Sequence, residues 1–386
     1  MRKCRVLKIF LVSTLGFLLF TVLSGSRSQN HLIDEALDAT LENYLHHLPI
    51  VTHKSCLNRH PRPQSPRDFQ ASQRHFVSKA CQLLSTRKIL LVGPETTYFL
   101  HSLWLAALKT RDHRTHHCHG PEFCKFHHIC LPAGHSSSPR DRYKVPPTDK
   151  ELVATNSTLM RYVLSTSLHT AKNKNDPGYT QVVVDPDTGI RLKNGYWLAQ
   201  ARRADIIVLN RGPIPAPAWT YSGETLGNWT FTRNLPRHLV LGNSLSADVL
   251  NAAFHATVTR FIPEVLQSLG AVQQDPLIRH KTLAWHASWF LGPQDFHAAL
   301  QMDDPWALYY SAQGGMYMQN RLLTALLPHY NVHFLSPIAP SRFLADKAPA
   351  DNAPRDMLQF TLGTTNSEAM ATMFVKSLIE LLECVK

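Results

Sequence analysis

The sequence lacks acidic residues at its start and has few of them elsewhere. No Asp or Glu precedes Asp34, and the chain carries 28 acidic against 40 basic residues, a formal net charge of +12. A basic surface favours anionic partners such as phospholipid, acidic glycans or nucleic acid. Nucleic acid is not the expected partner, because the chain has no Cys2His2 finger spacing, no aromatic ribonucleoprotein box and no basic-region heptads. A membrane or a glycan is therefore the expected partner.

Long apolar runs are scarce, and the clearest one lies at the N-terminus. Four basic residues lie within the first eight, and the apolar run from Ile9 to Leu23 follows them. Positive charge before such a run keeps the N-terminus in the cytosol and sends the remainder across the membrane. The run is either a slightly short membrane anchor of about 17–20 residues or a signal peptide cleaved near the small residues Ser24 to Ser26. The sequence predicts a single-pass type II protein of the secretory pathway, with the Golgi as the expected organelle, or else a secreted protein.

The composition along the chain predicts four segments and shows no internal repeat. The residues that follow the apolar run are polar and rich in Pro and His, as in a stem. Within the final domain, residues from about 110 to 180 are rich in Cys, His and Pro and are interpreted as an irregular insertion. The predicted segments are a cytosolic basic tail (1–8), an anchor or signal segment (9–26), a stem (27–80) and a luminal domain (81–386).

No Cys-x2-Cys zinc knuckle is present, although Cys and His are dense between His113 and Cys130. Six cysteines follow the apolar run. Because six is an even number, all of them can form disulfide bonds in an oxidising compartment. Disulfides are favoured over a metal site, and neither a metal nor a cofactor is predicted. Two of the three cysteines Cys118, Cys124 and Cys130 are expected to pair with each other, and the third with Cys81 or Cys56. The connectivity stays open. The candidates are Cys56, Cys81, Cys118, Cys124, Cys130 and Cys384; Asn156 and Asn228 are glycosylation acceptors if the domain enters that compartment.

Hydrophobic patterns with strand and helix character alternate along the domain. Such alternation predicts an α/β fold with a mainly parallel sheet covered by helices on both faces. The predicted strands are Ile89–Val92, Ile206–Leu209, Thr282–Trp285 and Val332–Leu335. The predicted helices are Thr97–Leu108, Tyr196–Arg203, Ser246–Leu269, Met316–Leu327 and Ser367–Leu382.

Three polar segments lie where catalytic groups gather in such sheets, at or near the carboxyl ends of strands. They are Leu91–Thr97, Ala204–Gly212 and Arg355–Phe360. Their order and setting resemble the PC-esterase group, which includes the plant trichome-birefringence-like proteins, within the SGNH hydrolase superfamily. Val92-Gly93-Pro94-Glu95 stands at the place of the family's Val-Gly-Asp-Ser, and Asp356-Met-Leu-Gln359 at the place of its Asp-x-x-His.

This resemblance runs from about Lys88 to the C-terminus and implies a three-layer α/β/α, flavodoxin-like domain. It also implies an activity that transfers or removes acyl groups, commonly acetyl, on polysaccharides or glycans. The family's nucleophilic Ser and basic His are replaced here by Glu95 and Gln359, and glutamine does not accept a proton near neutral pH. The Asp of the family's Asp-x-x-His is present here as Asp356. Instead of a catalytic role, Asp356 could cap a helix or form an ion pair with Arg355.

Two rebuilt sites are conceivable from the residues. Thr96 or Thr97 supplies a hydroxyl activated by a histidine such as His101 or His286, or Glu95 acts as an acid or base. The simpler interpretation places Glu95 in the first turn of a helix, where an acidic side chain interacts favourably with the helix dipole.

The middle segment supplies the remaining candidates. Asn210 with backbone N–H groups is a candidate oxyanion-type pocket, and Gly93, Arg211 and Gly212 are candidate substrate-binding residues, with Arg211 suited to an anion. The resemblance thus implies a diverged acyltransferase or esterase. Its alternative is a catalytically inactive glycan-binding or accessory protein on the same scaffold, and a zinc enzyme built on the Cys/His segment is least favoured.

Overall fold

The computed structural model describes residues 29–48, 76–108, 116–117, 124–131, 145–165, 167–170, 183–184, 191–193, 195–211, 245–287, 315–335 and 365–384. Among these residues, no helix combines the length and the apolar character needed to cross a membrane. Several predicted features lie outside the described residues: the run Ile9–Leu23, Cys56, Cys118, Gly212, Asn228, Asp356 and Gln359.

The strands of the described residues are β1 (Lys88–Gly93), β2 (His116–His117), β3 (Cys124–Ile129), β4 (Thr158–Leu164), β5 (Val183–Val184), β6 (Arg191–Lys193), β7 (Ile206–Leu209), β8 (Thr282–His286) and β9 (Val332–Leu335). Seven of them form one sheet in the order β2-β3-β4-β1-β7-β8-β9, and β5 pairs with β6. The five strands from β4 to β9 along the sheet are parallel, whereas β2 and β3 are antiparallel. Numbered along the chain, the parallel strands lie in the order 2-1-3-4-5, the order of flavodoxin-like sheets.

The α-helices are α1 (Gln29–Leu45), α2 (Glu95–Ala107), α3 (Asp149–Thr155), α4 (Tyr196–Ala201), α5 (Leu245–Ala256), α6 (Ile262–Gln274), α7 (Gly315–Leu326) and α8 (Thr365–Cys384), and residues 76–84 are also helical. A π turn (Thr257–Phe261) separates α5 from α6, and a 3-10 turn (Leu327–Tyr330) follows α7. The mixed α/β architecture with a mainly parallel sheet confirms that part of the prediction.

The sheet is buried on both faces at its central strand. Ile89 to Gly93 of β1 are all buried, as expected of an apolar run in a parallel sheet. On one face, Ile89 and Leu91 share a core with Trp104 of α2 and Leu378 of α8, and α2 packs against α8. Burial of each such apolar side chain stabilises the fold by about 1.5–3 kcal/mol. This packing holds the β1–α2 connection in place.

The chain divides into two compact units. One comprises Met1–Ile50, Pro213–Pro263 and Phe290–His329; its described helices are α1, α5 and α7, and we call it the helical unit. The other comprises Val51–Gly212, Glu264–Trp289 and Tyr330–Lys386, and it holds the seven-stranded sheet. The single domain predicted over 81–386 is thus shared between two units.

Two predicted irregular segments contain regular structure. The insertion predicted at about 110–180 holds α3 and three strands of the main sheet, β2, β3 and β4, so the irregular structure predicted for it was wrong. The predicted stem contains α1, which packs against α7 within the helical unit. Polar and Cys/His-rich composition concealed these elements, because each buries only part of its side chains.

One disulfide is described in full. Cys81, at the end of the helix 76–84, is bonded to Cys130, which follows β3, and their Cα atoms lie 5.4 Å apart. This is one of the pairings that the sequence left open. Cys124 and Cys384 are also disulfide-bonded. The bond between Cys81 and Cys130 fastens a helix of the sheet-containing unit to its antiparallel edge.

Candidate active site

Three neighbouring strands end side by side at the carboxyl edge of the sheet. Gly93 ends β1, Asn210 directly follows β7, and His286 ends β8. The pairings β1–β7 and β7–β8 are both parallel, so these ends share one edge. Strand β1 has β4 as its neighbour on one side and β7 on the other. Among the parallel strands, the connection after β1 leads to β4, and the connection after β4 leads back to β7 on the opposite side of β1. The carboxyl ends of β1 and β7 are therefore the switch point of the sheet, where open α/β sheets bind ligands.

A threonine hydroxyl and an imidazole meet at this edge. Helix α2 begins at Glu95, so Thr97 lies in its first turn, where its backbone N–H donates to the carbonyl oxygen of Pro94 at 2.9 Å. Thr97 Oγ1 lies 2.8 Å from Nε2 of His286. The relative exposure of the two residues is 0% and 1%. The structure therefore brings together two of the residues that the sequence offered as a rebuilt pair.

The second nitrogen of the imidazole determines the direction of this hydrogen bond. Nδ1 of His286 lies 2.9 Å from the backbone oxygen of Ala287. A carbonyl oxygen only accepts, so Nδ1 carries the proton and Nε2 of the neutral ring is left as the acceptor. The hydroxyl of Thr97 consequently donates to Nε2. This is the polarity that a general base requires beside a nucleophile.

Burial keeps His286 neutral. Desolvation lowers the pKa of His286 to about 4, and the hydrogen bond to Ala287 opposes this shift only in part. Nε2 of the ring is therefore an acceptor at neutral and mildly acidic pH. A pKa this low also makes it a weak base, because proton transfer is most efficient when the pKa is near the working pH.

Gly93 and Asn210 hold the pair in position. A Cβ on Gly93 would lie 2.1 Å from Thr97 Oγ1 and 2.9 Å from the backbone oxygen of Asn210, so only glycine fits there. The backbone N–H of Asn210 donates to Val92 at 2.9 Å, and its Nδ2 donates to the backbone oxygen of His286 at 2.8 Å. The side-chain amide that the sequence assigned to an oxyanion pocket therefore supports the end of β8.

Tyr162 supports the turn between β1 and α2 from the next strand. Its buried hydroxyl lies 3.1 Å from the carbonyl oxygen of Gly93 and 3.0 Å from that of Pro94, so it donates into the turn. The sequence reasoning did not select this residue. The available signal was the apolar run of β4, Thr158–Leu164, which lies in the segment interpreted as irregular.

His101, the other histidine proposed as a partner for the threonines, lies one turn further along α2. It is fully buried, and its ring nitrogens have no hydrogen-bond partner among the described residues. Its ring lies 5.1 Å from that of His127 and 5.9 Å from that of Tyr162. Desolvation, followed by the charges of His127 and Lys125, holds the pKa of His101 well below its ordinary value. The histidine bonded to the Thr97 hydroxyl is His286.

Of the remaining site residues predicted from the sequence, the structure describes the side chain of Arg211 but not those of Glu95 and Thr96. Arg211 is buried, and its guanidinium forms an ion pair with Glu264. Glu95 and Thr96 belong to the first turn of α2, as the simpler interpretation predicted for their backbone, and their side chains are not described. Gln359 lies outside the described residues, so the pairing of its position with that of Glu95, which the resemblance implies, stays a prediction. Over the described part of the chain, no three His, Cys, Asp or Glu side chains are grouped for a metal ion.

Comparisons with known proteins identify no relative of this chain. No protein-family model, curated protein or solved structure matches this chain. What the site can do therefore follows from its own atoms: a hydroxyl aimed at a neutral imidazole, held by a glycine, an asparagine and a tyrosine at the switch point of a parallel sheet.

Proposed function

We propose that this chain is a diverged SGNH-like protein of the secretory pathway that transfers or removes acyl groups on glycans. The observation that carries the proposal is the hydroxyl of Thr97 donating to Nε2 of neutral His286. The strand order 2-1-3-4-5 and the places of Gly93 and Asn210 at the carboxyl edge support a three-layer α/β/α domain of that type. The proposed topology is type II with an N-terminal anchor in the Golgi membrane, the alternative being secretion after signal cleavage.

The proposed reaction is an acyl transfer with no oxidation or reduction. Thr97 Oγ1 attacks the carbonyl carbon of an acyl ester on a sugar, and its proton passes to Nε2 of His286 as the new C–O bond forms. His286 returns that proton to the sugar oxygen as the original ester bond breaks. Water, or a hydroxyl of an acceptor glycan, then removes the acyl group from Thr97 by the same proton transfers.

The geometry predicts slow turnover. Nδ1 of His286 donates to a backbone carbonyl rather than to a carboxylate, so the imidazolium gains less stabilisation than in a Ser-His-Asp triad. The hydroxyl of Thr97 is also enclosed, with Gly93 against it. Because Thr97 is fully buried, an ester reaches Oγ1 only after the packing around this side chain has opened.

A fluorophosphonate probe tests the proposal, because it reacts with a hydroxyl whose proton a neighbouring base removes. The purified domain is expected to be labelled, and Thr97→Val, which keeps the side-chain shape, is expected to abolish labelling. Thr257→Val is the matched control, since Thr257 is an equally buried helical threonine in another part of the chain. Labelling that survives in Thr97→Val, or is absent from the wild type, contradicts the assignment.

The burial of Thr97 supports a second candidate, a glycan-binding or accessory protein without turnover. In that case the hydrogen bond between Thr97 and His286 only fastens α2 to β8. The wild type would then bind acylated glycan without releasing acid, and Thr97→Val would leave the affinity unchanged. Glu95→Gln adds a further test, since it abolishes turnover only if Glu95 is an acid or base.

A further inference from the structure

Arg161 is a cation in the middle of β4, on the face of the sheet opposite α2. Its neighbours across the strand pairings are Leu90 of β1 and Phe126 of β3. Tyr162, the next residue, belongs to the core that contains Trp104 of α2, and successive side chains of a strand point to opposite faces. The side chain of Arg161 is mostly buried. A charge in such a place is normally paired, because its removal from water is costly.

The guanidinium of Arg161 bonds to a neutral side chain rather than to a carboxylate. Its Nη1 group donates to Oε1 of Gln200 on α4. Its Nε is buried and has no hydrogen-bond partner among the described residues. No Asp or Glu in the described part of the chain forms an ion pair with it. Because arginine stays protonated in proteins, its positive charge has no counter-charge within the ranges that the structure describes.

A second arginine adds positive charge beside the first. Arg203, which closely follows α4, is exposed, and its charge acts on Arg161. Burial is the largest cause that lowers the pKa of Arg161; the phenol of Tyr196 opposes this shift, and the charge of Arg203 adds to it. Arg202 differs from both, because its guanidinium is paired with Oδ2 of Asp275 at 2.9 Å. The end of α4 therefore increases the positive charge around Arg161 instead of neutralising it.

A carboxylate group fits this arrangement. Nε and one terminal nitrogen of a guanidinium lie side by side and donate in parallel, so they match the two oxygens of a carboxylate. A metal cation does not fit, because two arginine charges would repel it. The charge and the donors of the cluster thus both select an anion.

We propose that Arg161 and Arg203 bind a carboxylate group beside α4. A small carboxylate such as acetate and an acidic sugar such as glucuronate share this chemistry. Because the side chain of Arg161 points to the face opposite α2, the bound group lies apart from Thr97 and His286. The site therefore goes beyond the acyl-transfer chemistry proposed above and does not depend on it.

Thermal unfolding of the full chain in a nonionic detergent tests the site, with the ionic strength held constant by potassium chloride. Sodium acetate and sodium glucuronate are the probes, and glucose is the neutral control. Each carboxylate that binds is expected to raise Tm by at least about 2 °C at saturation, because it stabilises only the folded state. Glucose should leave Tm unchanged. A half-maximal shift at a lower concentration of glucuronate than of acetate identifies an acidic sugar as the ligand, and equal concentrations identify a small free carboxylate.

Arg161→Met removes the charge and keeps a long side chain. This variant should show no shift with either carboxylate. Without ligand it should be at least as stable as the wild type, because an apolar side chain carries no desolvation cost. Arg202→Met is the matched control: it should lower Tm because it breaks the ion pair with Asp275, but the shift with carboxylate should remain.

Arg203→Met provides a second variant, at an exposed position where folding should be retained. It is expected to raise the carboxylate concentration at half of the shift about threefold, the effect of losing one exposed charge. If Arg161→Met does not fold, this variant decides the question, and an unchanged concentration contradicts the site.

The absence of a shift in the wild type with both carboxylates overturns the proposal. So does a shift that persists in folded Arg161→Met. A lower Tm for Arg161→Met without ligand also counts against it, since that result would show that the protein itself compensates the charge. None of these results depends on fluorophosphonate labelling of Thr97, so the two proposals can fail separately.

Discussion

Gly93 and the hydroxyl of Thr97 share a space that one methyl group would overfill. Because a Cβ on Gly93 would lie 2.1 Å from Thr97 Oγ1 and 2.9 Å from a backbone oxygen, Gly93→Ala must displace α2 or β7. We expect this substitution to lower the free energy of unfolding by about 1–3 kcal/mol. Urea denaturation followed by circular dichroism measures the change.

Gly270→Ala is the matched control for Gly93→Ala. Gly270 lies inside α6, and no atom lies within 4 Å of the position where its Cβ would be. Alanine there is expected to raise the free energy of unfolding by about 0.5–1 kcal/mol, because glycine is the poorer helix former. A similar loss at both positions would contradict the close packing described for Gly93.

His286 makes the stability depend on pH in a defined direction. Its folded-state pKa is about 4, against 6.5 for an ordinary histidine. As the pH falls below 6.5, the unfolded chain binds a proton that the folded chain still excludes, so stability is full above pH 6.5 and declines toward pH 4. At pH 4.5 the loss from this residue is on the order of 2 kcal/mol.

The measurement compares the free energy of unfolding at pH 7 and pH 4.5 in the wild type and in His286→Gln. The variant cannot titrate at this position, so its stability should fall less between the two pH values. His101 is buried and neutral as well, so part of the pH dependence should persist in the variant. An equal decline in both proteins would show that His286 is not buried as a neutral ring.

The candidate site was only partly predictable from the sequence, because the order of the strands across the sheet cannot be read from the hydrophobic pattern of each strand. Gly93 and Asn210 follow apolar runs, so their place at strand ends was readable. The choice between His101 and His286 was not, because it depends on β8 lying beside β7. Tyr162 reaches the turn only because β4 is the other neighbour of β1.

At the scale of single elements, α3 has the clearest local signal. Thr148 accepts a hydrogen bond from the backbone N–H of Glu151, whose carboxylate in turn accepts from the backbone N–H of Thr148, and Asn156 ends the helix in the left-handed conformation. We expect Thr148→Ala to lower the free energy of unfolding by about 1 kcal/mol and Thr148→Ser to retain most of it. Urea denaturation of the two variants measures the difference, and equal losses would show that the hydroxyl is not the cap.

Elements with apolar runs were predicted well, and elements with mixed patterns were missed. β7 is a continuous apolar run and matched its prediction, Ile206–Leu209. β3 reads Cys-Lys-Phe-His-His-Ile, in which burial of the polar residues depends on α2 and β4 beside it. The helix predicted over Ser246–Leu269 is interrupted by the π turn and continues past Gly270 to Gln274, because glycine ends a helix only where the backbone turns left-handed.

At the scale of the whole molecule, the topology can be tested at Asn156. This residue is exposed, whereas Ser157 and Thr158 of the same glycosylation triplet are buried. A glycan on its side chain therefore fits the folded protein, provided that the domain is made in the secretory pathway. We expect treatment with an N-glycosidase to reduce the apparent mass, and Asn156→Gln to remove all or part of that change.

The control for glycosylation is a protease digestion of sealed membranes. The domain should be cut only after the membranes are opened with detergent. Digestion of the domain in sealed vesicles, together with an unglycosylated Asn156 and Asn228, would place it in the cytosol and end the secretory interpretation.

The central position of β1 in the sheet bears on how the protein is made. During synthesis, β4 can pair with one edge of β1 once Leu164 has been made, but the other edge of β1 waits for β7, which begins at Ile206, about 40 residues later. At ordinary translation speeds this delay lasts roughly 2 to 8 seconds. Throughout it, a half-built sheet presents an apolar strand with unpaired backbone groups, the kind of edge that recruits other chains. The nascent protein should therefore depend on chaperones until β7 and β8 have emerged.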